Sequence, residues 1–200
     1  MKRTRDAQFT ALIGKPGCGK STLLKKIVDN QLAKGDKVII VDPNLDEQTW
    51  YSYPYTEEPE RIKPNFKGAI TIPYVEKVTF PKIKNLIWDE GVKGVTLVLD
   101  DANVYSEGRP EQELRQLLMR KRQTETDIYT TGHSFGSIPQ FFFRYITIWG
   151  IYPTLSPSKE RAAVMGKDIY EQFGQIMARI NNQPNIHHVE FFNQFGEPIE

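Results

Sequence analysis

The stretch GKPGCGKST, Gly14–Thr22, separates the apolar run FTALI from the helix-like LLKKIVDNQLAK. Three glycines and a proline within these nine residues exclude the interior of a helix or a strand. The order is therefore buried strand, glycine-rich loop, helix. Gly14, Gly19, Lys20 and Ser21 fit G-x-x-x-x-G-K-[ST] without exception. Glycines let the backbone curl so that successive N–H groups point inward at phosphate oxygens, and the helix start adds its positive dipole end. The pattern assigns the whole run Gly14, Lys15, Pro16, Gly17, Cys18, Gly19, Lys20, Ser21 and Thr22 to a phosphate cradle. Lys20 is expected at the β- and γ-phosphates, the Ser21 hydroxyl on Mg2+, and Thr22 on the α-phosphate side. The expected ligands are ATP and Mg2+.

A chain of 200 residues is long enough for one large domain with a real core, and a single domain over 1–200 is expected. Its 39% apolar and 26% charged residues fit a soluble globular protein. With a formal net charge of +1 it has no basic field over the whole molecule, so contact with nucleic acid must use local patches. The one cysteine, Cys18, excludes an internal disulfide and a multi-cysteine zinc site, and agrees with a reducing compartment. The start, MKRTRDAQFT, lacks the apolar stretch of a signal peptide. IPQFFFRYITIWGIYP is broken by Gln140 and Arg144 and is too short to span a bilayer. A cytoplasmic protein without membrane insertion is expected.

Apolar and turn patterns predict strands at Gln8–Ile13 and Asp36–Asp42, joined by a helix over Lys20–Lys34 that Gly35 ends. Such a βαβ unit favours a parallel sheet. Residues 43–66 carry four prolines and the alternating Tyr51, Tyr53 and Tyr55, and read as an irregular excursion. GAITIPYVEKVTF holds one or two short strands, edge-like because of Pro73. FPKIKNLIWDEG reads as a helix, GVTLVLDD as a strand, and Arg109–Arg122 as a helix with Leu114, Leu117 and Leu118 on one face. TDIYTTG and RYITIWG read as strands, KERAAVMGKDIYEQFGQIMARI as a helix weakened by Gly166 and Gly174, and IHHVEFF as a last strand.

A phosphate loop needs a carboxylate for its Mg2+ at the end of another apolar strand. VTLVLDD supplies Asp100 for the metal and Asp101 for the attacking water, with Glu107 in the following loop as an alternative to Asp101.

The strand VIIVDPN with Asp42–Pro43, then LVLDDA, then LRQLLMRKRQTETDIYTTGHSFGSIPQFFFRYITIW resemble, in that order, the FtsK–HerA superfamily of ring-forming, ATP-driven DNA pumps. The resemblance covers about residues 8–150, and the bare length is similar to that of small viral genome-packaging members. It implies a three-layer α/β sandwich with a central, mostly parallel, RecA-like sheet. It also implies a homo-oligomeric ring, DNA (a viral genome) as the substrate moved, and capsid or portal proteins as further partners. The location implied is the host cytoplasm or the virion. Where the family often carries Gln or Asn as a sensor, DIYTTG is followed by His133, whose neutral imidazole can donate to the γ-phosphate or the water. In a ring, one arginine of RQLLMRKR reaches a neighbour's γ-phosphate, Arg122 first and Arg120 second. Arg115 and Arg122 lie seven apart and share a side of the expected helix.

The three tyrosines suit packing, with base stacking as a second use. His187 and His188 are adjacent on the expected strand, face opposite ways, and make a poor metal pair. Two other functions remain open. A small-molecule kinase would need an arginine-rich lid, which the chain does not display. A nucleotide-dependent assembly factor needs the same loop and carboxylates without moving DNA.

Overall fold

The first strand, β1 (Phe9–Ile13), is buried along its whole length, and the glycine-rich loop carries the chain from it into helix α1 (Lys20–Ala33). The computed structural model describes residues 6–44, 48–58, 61–106, 112–155, 157 and 159–199. The remaining strands are β2 (Lys37–Asp42), β3 (Ala69–Pro73), β4 (Val95–Leu99), β5 (Asp127–Gly132), β6 (Ile148–Ile151) and β7 (Glu190–Asn193). Among the described residues these form one sheet in the order β3-β2-β4-β5-β1-β6-β7. The helices after α1 are α2 (Thr79–Lys84), α3 (Gln112–Arg120), α4 (Lys159–Met165) and α5 (Lys167–Asn181).

The chain forms two compact units. One comprises Met1–Gln8, Ser21–Asp100 and Gly108–Tyr129. In it β2 pairs parallel with both β3 and β4, Ile40 facing Thr71 on one side and Val98 on the other. VIIV of β2 and VTLVL of β4 are apolar without alternation because both faces are covered, as in the middle of a parallel sheet. Pro73 ends β3, the outermost strand in the order, where its missing N–H costs no ladder bond.

The other unit comprises Phe9–Lys20, Asp101–Glu107 and Thr130–Glu200. Here β1 pairs parallel with β6, and β7 returns antiparallel to β6. Phe135, Trp149, Phe173 and Phe192 pack through tilted and edge-on ring contacts that anchor α5 against these strands.

Three local expectations need correction. The C-terminal helix is broken at Gly166, whose φ of +87° no L side chain adopts easily, so α4 and α5 are separate; Gly174 does not interrupt α5. Helix α3 stops at Arg120, so Arg122 lies in the following turn and does not share a helix face with Arg115. His187 and His188 precede β7 instead of lying on it. The helix expected around Pro81 forms, but its second half, Asn85–Asp89, widens into a π-helical turn.

Candidate active site

In the unit that holds β1, the glycine-rich loop is pinned at its base. The N–H of Gly14 donates to the Gly132 carbonyl at 3.1 Å, and that of Lys15 to the Pro153 carbonyl at 3.2 Å. A Cβ on Gly14 would sit 2.5 Å from both Cys18 Sγ and Tyr152 Cβ, so only glycine fits this approach. Gly17 and Gly19 have φ of +78° and +98°, the curl that the motif requires. Lys15, Pro16 and Gly17 are exposed, whereas Cys18 is buried.

Lys20 is only 7% exposed, and its ammonium folds back to donate to the carbonyls of Gly14 at 2.7 Å and Lys15 at 3.0 Å. A buried ammonium needs such acceptors. The Cys18 thiol lies 3.9 Å from Lys20 Nζ; burial pushes its pKa up, and the lysine charge opposes that rise. Two residues outside the motif complete the loop's surroundings. The Tyr152 hydroxyl reaches the Gly19 carbonyl at 3.5 Å, its pKa pushed up to about 12 by burial and then by Cys18. His187 Nδ1 lies 3.1 Å from the Cys18 carbonyl. His188 turns the other way, to Glu190 at 3.0 Å.

Asp101 belongs to the same unit. Its φ of +46° is unusual for a residue with a Cβ, and its N–H donates to the Thr131 hydroxyl at 3.0 Å. Thr131 sits on β5 two residues before His133. The His133 carbonyl accepts from the Thr154 hydroxyl at 2.8 Å, while its imidazole is exposed. Gly14 and His133 are thus tied through the two neighbouring backbone positions at the end of β5. Glu107 lies outside the described residues.

In the unit that holds β2 and β4, Asp100 follows Leu99, and its N–H donates to the Val41 carbonyl at 3.1 Å. The register that pairs Val41 with Leu99 therefore brings Asp42 and Asp100 to the same end of adjacent strands. The buried Trp50 donates its indole N–H to Asp100 Oδ2 at 2.8 Å. Tyr53 stacks at a tilt on Trp50, ring centroids 6.0 Å apart, and donates its hydroxyl to Asp29 at 2.6 Å. Burial, and then that carboxylate, push the Tyr53 phenol pKa up.

The basic cluster divides by environment. The Arg120 guanidinium lies over the Trp88 ring, 4.4 Å from its centroid. Lys121 is buried and donates to the Ala7 carbonyl at 3.0 Å, its pKa lowered by burial and then by Arg122. Arg122 is exposed.

Among the described residues no group of three or more His, Cys, Asp or Glu gathers to hold a metal. Mg2+ bound with a triphosphate takes only one or two protein oxygens, the rest coming from phosphates and water. The half-buried Ser21 hydroxyl in the first turn of α1 and the Asp100 carboxylate are hard oxygen donors of that kind. Sequence reasoning missed Trp50, Tyr152, Thr131 and His187. None carries a motif signal, and each reaches its partner only through the fold.

No protein-family model and no curated protein matches the chain. Solved structures do. The genome packaging NTPase B204 from Sulfolobus turreted icosahedral virus 2, in complex with AMP, superposes with a TM-score of 0.77 at 13% identity, over 98% of this chain and 96% of that one. The same protein with ATP-gammaS gives 0.75 at 13% identity, over 98% and 96%. VirB4 of Thermoanaerobacter pseudethanolicus gives 0.67 at 9% identity, over 97% of this chain and 89% of that one. With its mostly parallel seven-stranded sheet and a glycine-rich loop leading from β1 into α1, this chain has the RecA-like P-loop NTPase fold.

Proposed function

We propose that the chain is a Mg2+-dependent ATPase that works as a ring of identical subunits and drives DNA, a viral genome, into a capsid. The observation that carries the reading is the loop around Lys20, a phosphate cradle closed on its own lysine. Support for the packaging role comes from the likeness in fold, over nearly the full length of both chains, to a genome packaging NTPase solved with AMP and with ATP-gammaS.

In this reading Lys20 exchanges the carbonyls of Gly14 and Lys15 for the β- and γ-phosphates, so a positive charge already desolvated meets the negative charge of the substrate. The N–H groups turned inward at Gly17 and Gly19 line the cradle. Ser21 and Asp100 hold Mg2+, which neutralises charge on the phosphates when bound. Trp50 keeps the Asp100 carboxylate in one orientation. Asp101 accepts the proton of the attacking water, and Thr131 fixes its backbone for that role. His133 donates to the γ-phosphate or the water. Arg122, exposed and outside the stack that Arg120 makes on Trp88, serves a neighbour's site. Catalysis of this kind rests on positioning and charge stabilisation.

The test is steady-state ATP hydrolysis with and without single- and double-stranded DNA, with Asp100→Ala as the blank. Stimulation by DNA that fades as salt rises is expected. Hydrolysis indifferent to DNA favours an assembly factor, and hydrolysis absent until a small acceptor is added favours a kinase.

A further inference from the structure

A trans peptide unit points its carbonyl and the following N–H in opposite directions, so a donor that holds the carbonyl aims the N–H the other way. The Cys18 carbonyl and the Gly19 N–H form one such unit, and among the described residues no peptide bond is cis. Gly19, at φ +98°, has no side chain to hinder rotation, so this unit turns easily unless something outside the loop holds it. His187 makes that contact: its Nδ1 donates to the Cys18 carbonyl at 3.1 Å, from 169 residues away in sequence. A carbonyl oxygen only accepts, so Nδ1 carries the proton and, in the neutral ring, Nε2 keeps the lone pair. The Gly19 N–H therefore faces away from the imidazole.

His187 is itself held in place. Its N–H donates to Asn185 Oδ1 at 2.9 Å, and the His188 N–H donates to the Asn185 carbonyl at 3.0 Å, so the asparagine closes a turn that presents the ring. On the far side His188 Nε2 meets Glu190 of β7 at 3.0 Å, and Glu190 pairs with Arg179 of α5. The ring lies close to the bare face of Gly19, where a Cβ would come 3.4 Å from Nδ1. The side chain is nonetheless exposed, so core packing does not account for its place.

We propose that His187 is a positioning residue of the phosphate cradle: by holding the Cys18 carbonyl outside, it aims the Gly19 N–H at a phosphate oxygen inside. The inference rests on the reading of the loop as a nucleotide site. A donor fixed before the nucleotide arrives has no ordering left to undergo on binding, which is where the gain in affinity lies. A bond from this N–H is made in the bound ground state as well as in the transition state. Its loss therefore weakens binding and raises KM while kcat stays nearly constant. The role needs a donor at the Nδ1 position and needs nothing from Nε2.

Two variants with the same amide separate that role from bulk or stability. His187→Asn puts its amide N–H where Nδ1 stands, and His187→Gln puts it where Nε2 stands. Calorimetric titration with ATP-gammaS and Mg2+, beside steady-state turnover of ATP, reads the result. His187→Gln and His187→Ala should bind about tenfold more weakly, the scale of one misdirected hydrogen bond to a charged group, with kcat within about twofold of the wild type. His187→Asn should restore most of the affinity. Melting temperatures should stay within about 2 °C, since the side chain is exposed. A wild type that does not bind ATP-gammaS overturns the nucleotide reading and this role with it. A wild type that binds while His187→Ala binds equally well overturns this role alone. So does an equal loss of affinity in His187→Asn and His187→Gln, or a fall in kcat at unchanged affinity.

Discussion

The indole of Trp50 and the carboxylate of Asp100, fifty residues apart in sequence, are joined by a hydrogen bond of 2.8 Å. Trp50 belongs to a short 3-10 turn, Gln48–Trp50, inside the proline- and tyrosine-rich excursion. That excursion is therefore not a passive connection. It places a rigid donor, 2% exposed, on the acidic residue that ends a central strand.

Trp50→Phe keeps most of the packing and removes only the donor. A hydrogen bond to a charged group contributes about 1.5–3 kcal/mol, so the Asp100 carboxylate should lose a comparable restraint. On the proposed reading, the Mg2+ concentration needed for half-maximal ATP turnover rises by about tenfold, with a smaller change in ATP affinity. A Mg2+ titration of turnover checks this. An unchanged midpoint would show that Trp50 serves only the core.

Gly14→Ala puts a methyl group 2.5 Å from two side-chain atoms, Cys18 Sγ and Tyr152 Cβ. Cys18 Sγ can rotate away, but Tyr152 Cβ is fixed to the backbone, so the loop or the strand must move. Overpacking of this kind costs about 1–3 kcal/mol, to be read from urea denaturation. A variant as stable as the wild type would mean that the loop has slack that the contacts do not display.

The motif-bearing parts were the easiest to read. FTALI, VIIV and VTLVL were legible as buried strands because continuous apolar runs have one use in a parallel sheet. The loop was legible because Gly17 and Gly19 need backbone angles that other residues avoid. Failures came where tertiary contact decides. Lys121 stands in the run RKR between two exposed arginines, yet its ammonium is buried on the Ala7 carbonyl. His187 looked like half of a poor metal pair, yet it lies against the loop backbone at Cys18, 169 residues away in sequence. No local pattern encodes such a contact. Helix α3 ends at Arg120, where the apolar stripe of Leu114, Leu117 and Leu118 has run out.

Arg120 and Arg122 should separate cleanly by mutation. Arg120→Ala removes a guanidinium stacked on Trp88 and should cost about 0.5–1 kcal/mol of stability. Arg122→Ala touches an exposed side chain and should change stability by less than about 0.5 kcal/mol. If Arg122 serves a neighbouring site as proposed, turnover falls by on the order of 10³ while ATP affinity holds. Parallel melting and turnover measurements decide it; wild-type turnover in Arg122→Ala removes the residue from that role.

Lys20 and Cys18 give a probe that does not depend on turnover. The thiol is buried and its pKa is raised, so at neutral pH it stays protonated and alkylates slowly. Desolvation is the larger cause and the Lys20 charge opposes it. Lys20→Met removes the opposing charge, so the Cys18 pKa should rise further and alkylation should slow again at a given pH. The same substitution strips the donor from the carbonyls of Gly14 and Lys15 and so favours opening of the loop, which would speed alkylation. The pH profile tells the two apart. A rate that climbs only at higher pH than in the wild type reports the charge effect in a closed loop. A profile returned to that of an ordinary exposed thiol reports opening, and would mean that Lys20 holds the loop in shape through the carbonyls of Gly14 and Lys15.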